Sequence, residues 1–210
     1  MCWLSCCIGS IDPEEEILLR QKKAKNFNVA VVGDTGCGKT NLIYRFTRGK
    51  LPEKDTPSVL DTDEVEIIRK RDKIKLYIHD TSGDEGDARV RNLAYQNSDV
   101  IIICFSIDSE ESRQNVVANW RTDIRHLCRD TPFLLVGTKR DTRGERGTKV
   151  VSKKDGAKTA KTIGAICYLE FSAFEGTRSN RQSKVIFGRA IQACLDNLDD
   201  ALDDRGCCCC

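Results

Sequence analysis

Residues 29–40 read VAVVGDTGCGKT, an apolar run rich in β-branched residues that ends directly in a glycine-rich turn. The turn fits the pattern G-x-x-x-x-G-K-[S/T], which binds phosphate when a strand precedes it and a helix follows it. The amphipathic stretch 39–47 supplies that helix. Its N-terminus and the main-chain N–H groups of the turn would converge on phosphate oxygens. The predicted phosphate-binding residues are Gly33, Asp34, Thr35, Gly36, Cys37, Gly38, Lys39 and Thr40.

Apolar runs and amphipathic stretches alternate along the rest of the chain. Besides 26–32, strand-like apolar patterns occupy 63–69, 74–79, 99–106, 133–136 and 166–171. Apolar residues recur at helical spacing in 110–128, 152–163 and 179–198. Strands that alternate with helices form a mostly parallel sheet wrapped by helices. The sequence therefore predicts a single α/β domain with a six-stranded, mostly parallel sheet.

The composition excludes several classes of protein. The 210 residues are 40% hydrophobic and 31% charged, a mixture that can fill a core. No uncharged apolar run approaches the ~18 residues that a membrane-spanning helix needs. Lys and Arg number 34 against 32 Asp and Glu, and no basic stripe dominates. Nucleic acid is therefore not an expected partner.

A second motif follows the apolar run 133–136 and reads GTKRD from Gly137 to Asp141. The Asp141 carboxylate can accept hydrogen bonds from N1–H and the N2 amino group of guanine, a donor pair that adenine lacks. The stem of Lys139 can lie against the purine face. We expect this segment, with Thr138, and the later pair Ser172 and Ala173 to bind the base. The alternative is that GTKRD is only a solvated loop. Its position along the chain, one strand after the other predicted elements of the site, disfavours that alternative.

A third motif, Asp80-Thr-Ser-Gly83, ends the strand-like run 74–79. A carboxylate at the carboxyl end of a strand beside a phosphate turn can hold Mg²⁺ through water. The Thr40 hydroxyl would be a direct ligand. Gly83 permits a close approach of the main chain, so that its N–H could contact a third phosphate.

These motifs together resemble those of the Ras superfamily of small GTPases, and of the Rho family in particular. CFSIDS at 104–109, LPE at 51–53 and PSV at 57–59 are also Rho-like. The resemblance covers about residues 26–195. It implies about five helices around the sheet, binding of GTP, GDP and Mg²⁺, and two switch segments, switch I (51–62) and switch II (81–95).

The same resemblance implies partners and a biological role. Effector proteins would bind switch I and switch II, and exchange factors and activating proteins would act on the same domain. Members of the family commonly organise actin or cell polarity at membranes. We expect a monomeric signalling switch of this kind.

Departures from the family pattern concern hydrolysis. Ser58 stands where the family has a threonine that contacts Mg²⁺ and the third phosphate. Asp84 stands at the position of the glutamine, after Gly83, that orients the attacking water. Thr35 replaces a glycine beside which an activating arginine must fit, and Ser82 resembles the hydrolysis-poor Rnd branch. We expect slow hydrolysis of GTP, with Gly83, Asp84 and Thr35 at the catalytic positions. A normally cycling GTPase and an adaptor that does not use nucleotide remain alternatives.

The cysteines and charges of the two ends indicate three regions. We expect a cysteine-containing extension over 1–25, the GTPase domain over 26–198, and an acidic tail over 199–210 that ends in a cysteine cluster. The first ten residues have no secretory-signal pattern, which favours a reducing compartment. The candidate lipidation sites are Cys2, Cys6, Cys7, Cys207, Cys208, Cys209 and Cys210.

Two types of lipid fit this pattern: prenyl groups on the last cysteines, or palmitoyl groups on cysteines at either end. The aspartates of 196–204 would be repelled by anionic lipids, so that stable anchoring needs at least two chains. The expected location is the cytoplasmic face of the plasma membrane or an endomembrane. Metal binding and unmodified thiols are the alternatives.

Overall fold

The computed structural model describes residues 25–52, 60–69, 72–144 and 150–206. Its six strands are β1 (Lys25–Gly33), β2 (Leu60–Arg69), β3 (Asp72–Thr81), β4 (Val100–Ser106), β5 (Phe133–Thr138) and β6 (Tyr168–Glu170). They form one sheet in the order β2-β3-β1-β4-β5-β6. Only the β2–β3 pair is antiparallel, and the other four neighbouring pairs are parallel. The predicted six-stranded, mostly parallel sheet is confirmed.

Within the described residues, five helices surround the sheet, as expected. They are α1 (Lys39–Thr47), α2 (Ala88–Gln96), α3 (Glu110–Leu127), α4 (Lys153–Ile163) and α5 (Thr177–Gly206). Helix α3 consists of Glu110–Asn115, a π-helical turn at Val116–Trp120, and Arg121–Leu127. Single 3₁₀ turns occupy Glu85–Asp87 and Arg140–Gly144. Helix α5 continues well beyond the end that the periodicity predicts at residue 198.

Helix α2 was missed by the pattern analysis because its apolar residues do not all face the core. Tyr95 is fully buried, whereas Leu93 is 61% exposed. An apolar stripe at helical spacing is therefore incomplete. All but the last residue of this helix falls in the segment expected to be switch II.

The central strands of the sheet are covered on both faces, which explains why β4 and β5 are nearly continuous apolar runs. Every residue of β4 is buried. Val100, Ile102 and Cys104 pack with residues of α1 and α5 on one face, and Ile101, Ile103 and Phe105 pack with α3 and α4 on the other. Because β1, β3, β4, β5 and β6 run in parallel, their carboxyl ends meet at one edge, where ligands of such sheets bind.

The contact between α4 and β6 depends on a glycine. A Cβ atom at Gly156 would lie 2.3 Å from Cζ and 2.4 Å from the hydroxyl oxygen of Tyr168. That ring also stacks on Phe105, with centroids 6.1 Å apart, and its hydroxyl donates to Glu170 Oε1 at 2.9 Å. The ring therefore has little freedom to move away from α4.

We expect Gly156→Ala to lower the free energy of unfolding. Alanine favours a helix over glycine by about 1 kcal/mol. Displacing a packed ring costs about 1–3 kcal/mol and should exceed that gain. Urea unfolding gives the measurement. Gly188→Ala in α5 is the matched control, because a Cβ there meets nothing within 4 Å and should stabilise the protein. Equal stabilisation by both substitutions would contradict the packing argument.

Candidate functional site

The glycine-rich turn connects β1 to α1, as its pattern predicts. Gly33 has φ 144°, and a Cβ there would lie 2.1 Å from the carbonyl oxygen of Cys104, so that only glycine fits. The first turn of α1 contains no acidic side chain. Its unpaired N–H groups therefore keep a positive potential that favours an anion.

Lys39 is the buried cation of this turn, with 7% of its surface exposed. Its Nζ donates to the carbonyl oxygens of Gly33 at 2.8 Å and Asp34 at 2.9 Å. Carbonyl dipoles offset only part of the cost of removing an ammonium group from water. The remaining positive charge suits the oxygens of a phosphate group.

Thr40 and Asp80 bring two oxygen ligands together beside the turn. Thr40 Oγ1 donates to Asp80 Oδ2 at 2.6 Å, and Asp80 is buried near the end of β3. A hydroxyl and a carboxylate are hard oxygen donors of the kind that Mg²⁺ prefers, and this donor set fits that ion. Ser58, the third predicted ligand, lies outside the described residues.

The two segments predicted to hold the base contact each other. Asp141 follows β5 and Ser172 follows β6, and the Ser172 hydroxyl donates to Asp141 Oδ1. Lys139 has φ 53°, and its Nζ lies 3.4 Å from Asp108 Oδ2. Asp141 as a whole is exposed.

Thr138 links the base segment to the phosphate turn. Its buried hydroxyl contacts the carbonyl oxygen of Cys37 and the carbonyl oxygen of Phe105, the latter at 3.0 Å. One hydroxyl group of the base segment thus contacts both the phosphate turn and β4. A ligand with a phosphate at one end and a planar base at the other matches this arrangement.

Ser172 and Ala173 differ in the availability of their main-chain N–H groups. The N–H of Ser172 donates to Gln182 Oε1 at 3.0 Å. Arg45 fixes the neighbouring residue by donating to the Ala173 carbonyl oxygen at 2.9 and 2.7 Å. We therefore expect Ala173, rather than Ser172, to provide a main-chain donor to a base.

Gly83 brings switch II into direct contact with the phosphate turn. A Cβ atom at Gly83 would lie 2.3 Å from the main-chain nitrogen of Thr35 and 2.6 Å from the carbonyl oxygen of Gly33. No side chain can therefore separate the two main chains. Thr35 itself is exposed, so its side chain extends from the outer surface of the turn.

Asp84, at the position expected for a water-orienting side chain, closes a turn within its own segment. Its Oδ1 accepts from the N–H of Gly86 at 3.0 Å, and its N–H donates to Ser82 Oγ at 3.1 Å. The residue is exposed. The carboxylate is thus engaged along switch II.

Several residues that support the site were not predicted from the sequence. Arg45, Gln182 and Arg91 hold main-chain groups of the predicted segments, and Trp120 contacts the phosphate turn. Trp120 donates to a residue 86 positions earlier in the chain. Local patterns carry no signal for such distant contacts.

The five cysteines inside the domain are free thiols, at Cys37, Cys104, Cys128, Cys167 and Cys194. Burial raises the pKa of each of them. A raised pKa keeps the thiol protonated and poorly nucleophilic at neutral pH. These cysteines therefore have the character of small core residues.

The candidate lipidation sites are at the two ends of the chain. All seven candidate lipidation cysteines fall outside the described residues. Across the ranges that the structure describes, the helices are too short or too polar to cross a bilayer.

Comparison with known proteins agrees with the geometry. A model of the Ras family matches residues 28–194. The GTP-binding protein RHO1 of Candida albicans is 36% identical over 176 residues, which cover 80% of this chain and 87% of that protein. The GTP-binding protein Rho1 of Kluyveromyces lactis is 36% identical over 157 residues, which cover 70% and 76% of the two chains. The chain therefore belongs to the Ras family of small GTPases, and its relatives support a place in the Rho family.

Proposed function

We propose that this protein is a Rho-like GTP-binding switch that hydrolyses GTP slowly and acts at a membrane surface. The observation that carries the nucleotide assignment is the link through Thr138, which connects the phosphate turn to the segment that carries Asp141. The Thr40–Asp80 pair supports a magnesium site beside the phosphates.

Each part of the site has a role in this proposal. The N–H groups of the turn and Lys39 bind the phosphates, and Asp141 selects guanine by accepting from its ring and amino nitrogens. Thr40 and Asp80 hold Mg²⁺, which when bound neutralises phosphate charge. The N–H of Gly83 contacts the third phosphate, so that switch II responds to GTP.

Slow hydrolysis follows from two residues at the phosphate end. An aspartate near the third phosphate adds repulsion of about 3 kcal/mol per charge pair at ~5 Å and an effective dielectric constant of ~20. The bond from Gly86 to the Asp84 carboxylate supports an orientation away from the phosphates. Thr35 adds a side chain where an activating arginine must approach. In this class of enzymes such an arginine raises the rate of hydrolysis by about 10³–10⁵.

Membrane association would come from lipidated cysteines at the ends of the chain. The candidates are Cys2, Cys6, Cys7 and Cys207, Cys208, Cys209, Cys210. Two or more lipid chains are needed because the acidic tail weakens attraction to anionic lipids. Effectors would bind switch I and switch II, and the protein would act on the organisation of actin or on polarity.

The guanine assignment predicts the behaviour of Asp141→Asn. Titration calorimetry of the wild type with GDP and Mg²⁺ should give binding heat, and ATP should give none. The substitution replaces an acceptor by a donor and should weaken GDP binding by about 3 kcal/mol, roughly a hundredfold. Asp130→Asn, an exposed aspartate outside the predicted site, is the control. Unchanged GDP affinity in Asp141→Asn would refute this role, and a wild type that binds neither GDP nor GTP would favour the adaptor.

The hydrolysis assignment predicts that the double variant Asp84→Gln, Thr35→Gly turns over faster. Glutamine can align water without charge repulsion, so the single-turnover rate should rise about tenfold or more. Protein purified with mostly GTP would agree with slow turnover. Asp130→Asn should keep the wild-type rate. A wild-type rate equal to that of an ordinary Rho protein would instead establish the normally cycling GTPase.

The membrane assignment is tested by detergent phase partitioning of protein from eukaryotic cells. Serine substitution of the four C-terminal cysteines, of the three N-terminal cysteines, and of both sets should progressively move the protein to the aqueous phase. Serine substitution of the buried Cys128 is the control. Detergent-phase partitioning that persists unchanged without both sets would show that these cysteines are not the anchors.

A further inference from the structure

Helix α3 contacts the phosphate turn through one carboxylate. Asp34 Oδ1 accepts from Trp120 Nε1 at 2.7 Å, and Asp34 Oδ2 accepts from Asn115 Nδ2 at 3.1 Å. Both oxygens of the carboxylate are thus held by α3, while the carbonyl of the same residue binds Lys39. The phosphate turn is thus fixed to α3 by its side chain and to α1 by its main chain.

The same tryptophan contacts switch II through Arg91. Arg91 is only 6% exposed, and its guanidinium carbon lies 4.9 Å from the centroid of a Trp120 ring. Its Nη1 donates to the carbonyl oxygens of Ser82 at 3.2 Å and Asp84 at 2.9 Å. These two carbonyls flank Gly83, so Arg91 holds the main chain on either side of it.

Gly83 is therefore restrained from two directions. The phosphate turn lies against its Cα, and Arg91 holds its neighbours. A cleft of about 500 Å³ opens between switch II and α3 and is lined by Gly83, Arg91, Trp120 and Asp123 among others. Arg91 and Trp120 both line this cleft, and their contact connects the main chain around Gly83 to α3.

We propose that Trp120 and Arg91 are positioning residues that set the preference of the site for the triphosphate over the diphosphate. The inference rests on the proposed function, in which the Gly83 N–H contacts the third phosphate. A diphosphate lacks that contact and uses the turn and the base segment. Displacement of Gly83 therefore weakens GTP binding and leaves GDP binding nearly unchanged.

Two conservative substitutions test this role. Trp120→Phe keeps an aromatic face under Arg91 but removes the donor to Asp34. Arg91→Lys keeps the positive charge but removes the planar guanidinium that lies over the Trp120 ring while its Nη1 binds the two carbonyls. Arg125→Gln, an exposed position on α3, is the control for changes of charge and of this helix.

The measurement is the affinity for GDP and for a non-hydrolysable GTP analogue, each with Mg²⁺, by displacement of a fluorescent nucleotide. The affinity for the GTP analogue divided by the affinity for GDP should fall about fivefold to tenfold in each variant. A change of this size is expected for the loss of one hydrogen-bonded contact. Affinity for GDP should stay within about twofold in Arg91→Lys, because Arg91 binds the main chain of switch II rather than the phosphate turn. Because both residues act on Gly83, the fall in this affinity ratio in the double variant should be smaller than the product of the falls in the two single variants.

A merely structural role would have a different result. Equal loss of GDP and analogue binding, or an unchanged ratio, would overturn the proposal. Should Trp120→Phe fail to fold, as thermal unfolding with GDP would reveal, Arg91→Lys decides by the same ratio. A wild type that binds no guanine nucleotide would refute the proposed function itself, whereas a normal wild type with unaltered ratios in the variants refutes only this inference.

Discussion

Main-chain atoms of three segments meet at Gly33 with no side chain between them. The end of β1 lies against the carbonyl of Cys104 in β4, and Gly83 of switch II lies against both Gly33 and Thr35. Close approach of this kind places main-chain donors within reach of one phosphate group. The rest of the site depends on it, since Lys39, Thr40 and Asp80 take their positions from the two strands that deliver these glycines to the sheet edge.

The buried charges of the site are stabilised by dipoles as much as by opposite charges. Lys39 is held by two carbonyls of the turn, and Arg91 by two carbonyls of switch II and by an aromatic ring. Carbonyl partners leave the cations with a residual positive potential, in contrast to a close ion pair. A site that receives a polyphosphate benefits from such a potential, because the ligand supplies the missing negative charge.

Sequence patterns predicted the fold and the turn between β1 and α1, where the site is expected, because both depend on local features. β4 is apolar from Val100 to Phe105 because both of its faces are covered, and the phosphate turn needs glycines at fixed spacing. Contacts between distant positions had no such signal. The bond from Trp120 to Asp34, the use of the Ser172 N–H by Gln182, and the partly exposed α2 follow from how the helices pack on the finished sheet.

Slow turnover, as proposed, would change what controls the state of the switch. In a protein that hydrolyses GTP rapidly, activating proteins and exchange factors determine which nucleotide is bound. Where hydrolysis is slow, occupancy approaches the value set by the two affinities and by nucleotide concentrations. The position of Gly83, which distinguishes a third phosphate in this proposal, then becomes the main determinant of the active fraction. In this proposal Asp84 and Trp120 act on the same equilibrium: Asp84 slows hydrolysis, and Trp120 moves control of the active fraction to the contact between switch II and α3.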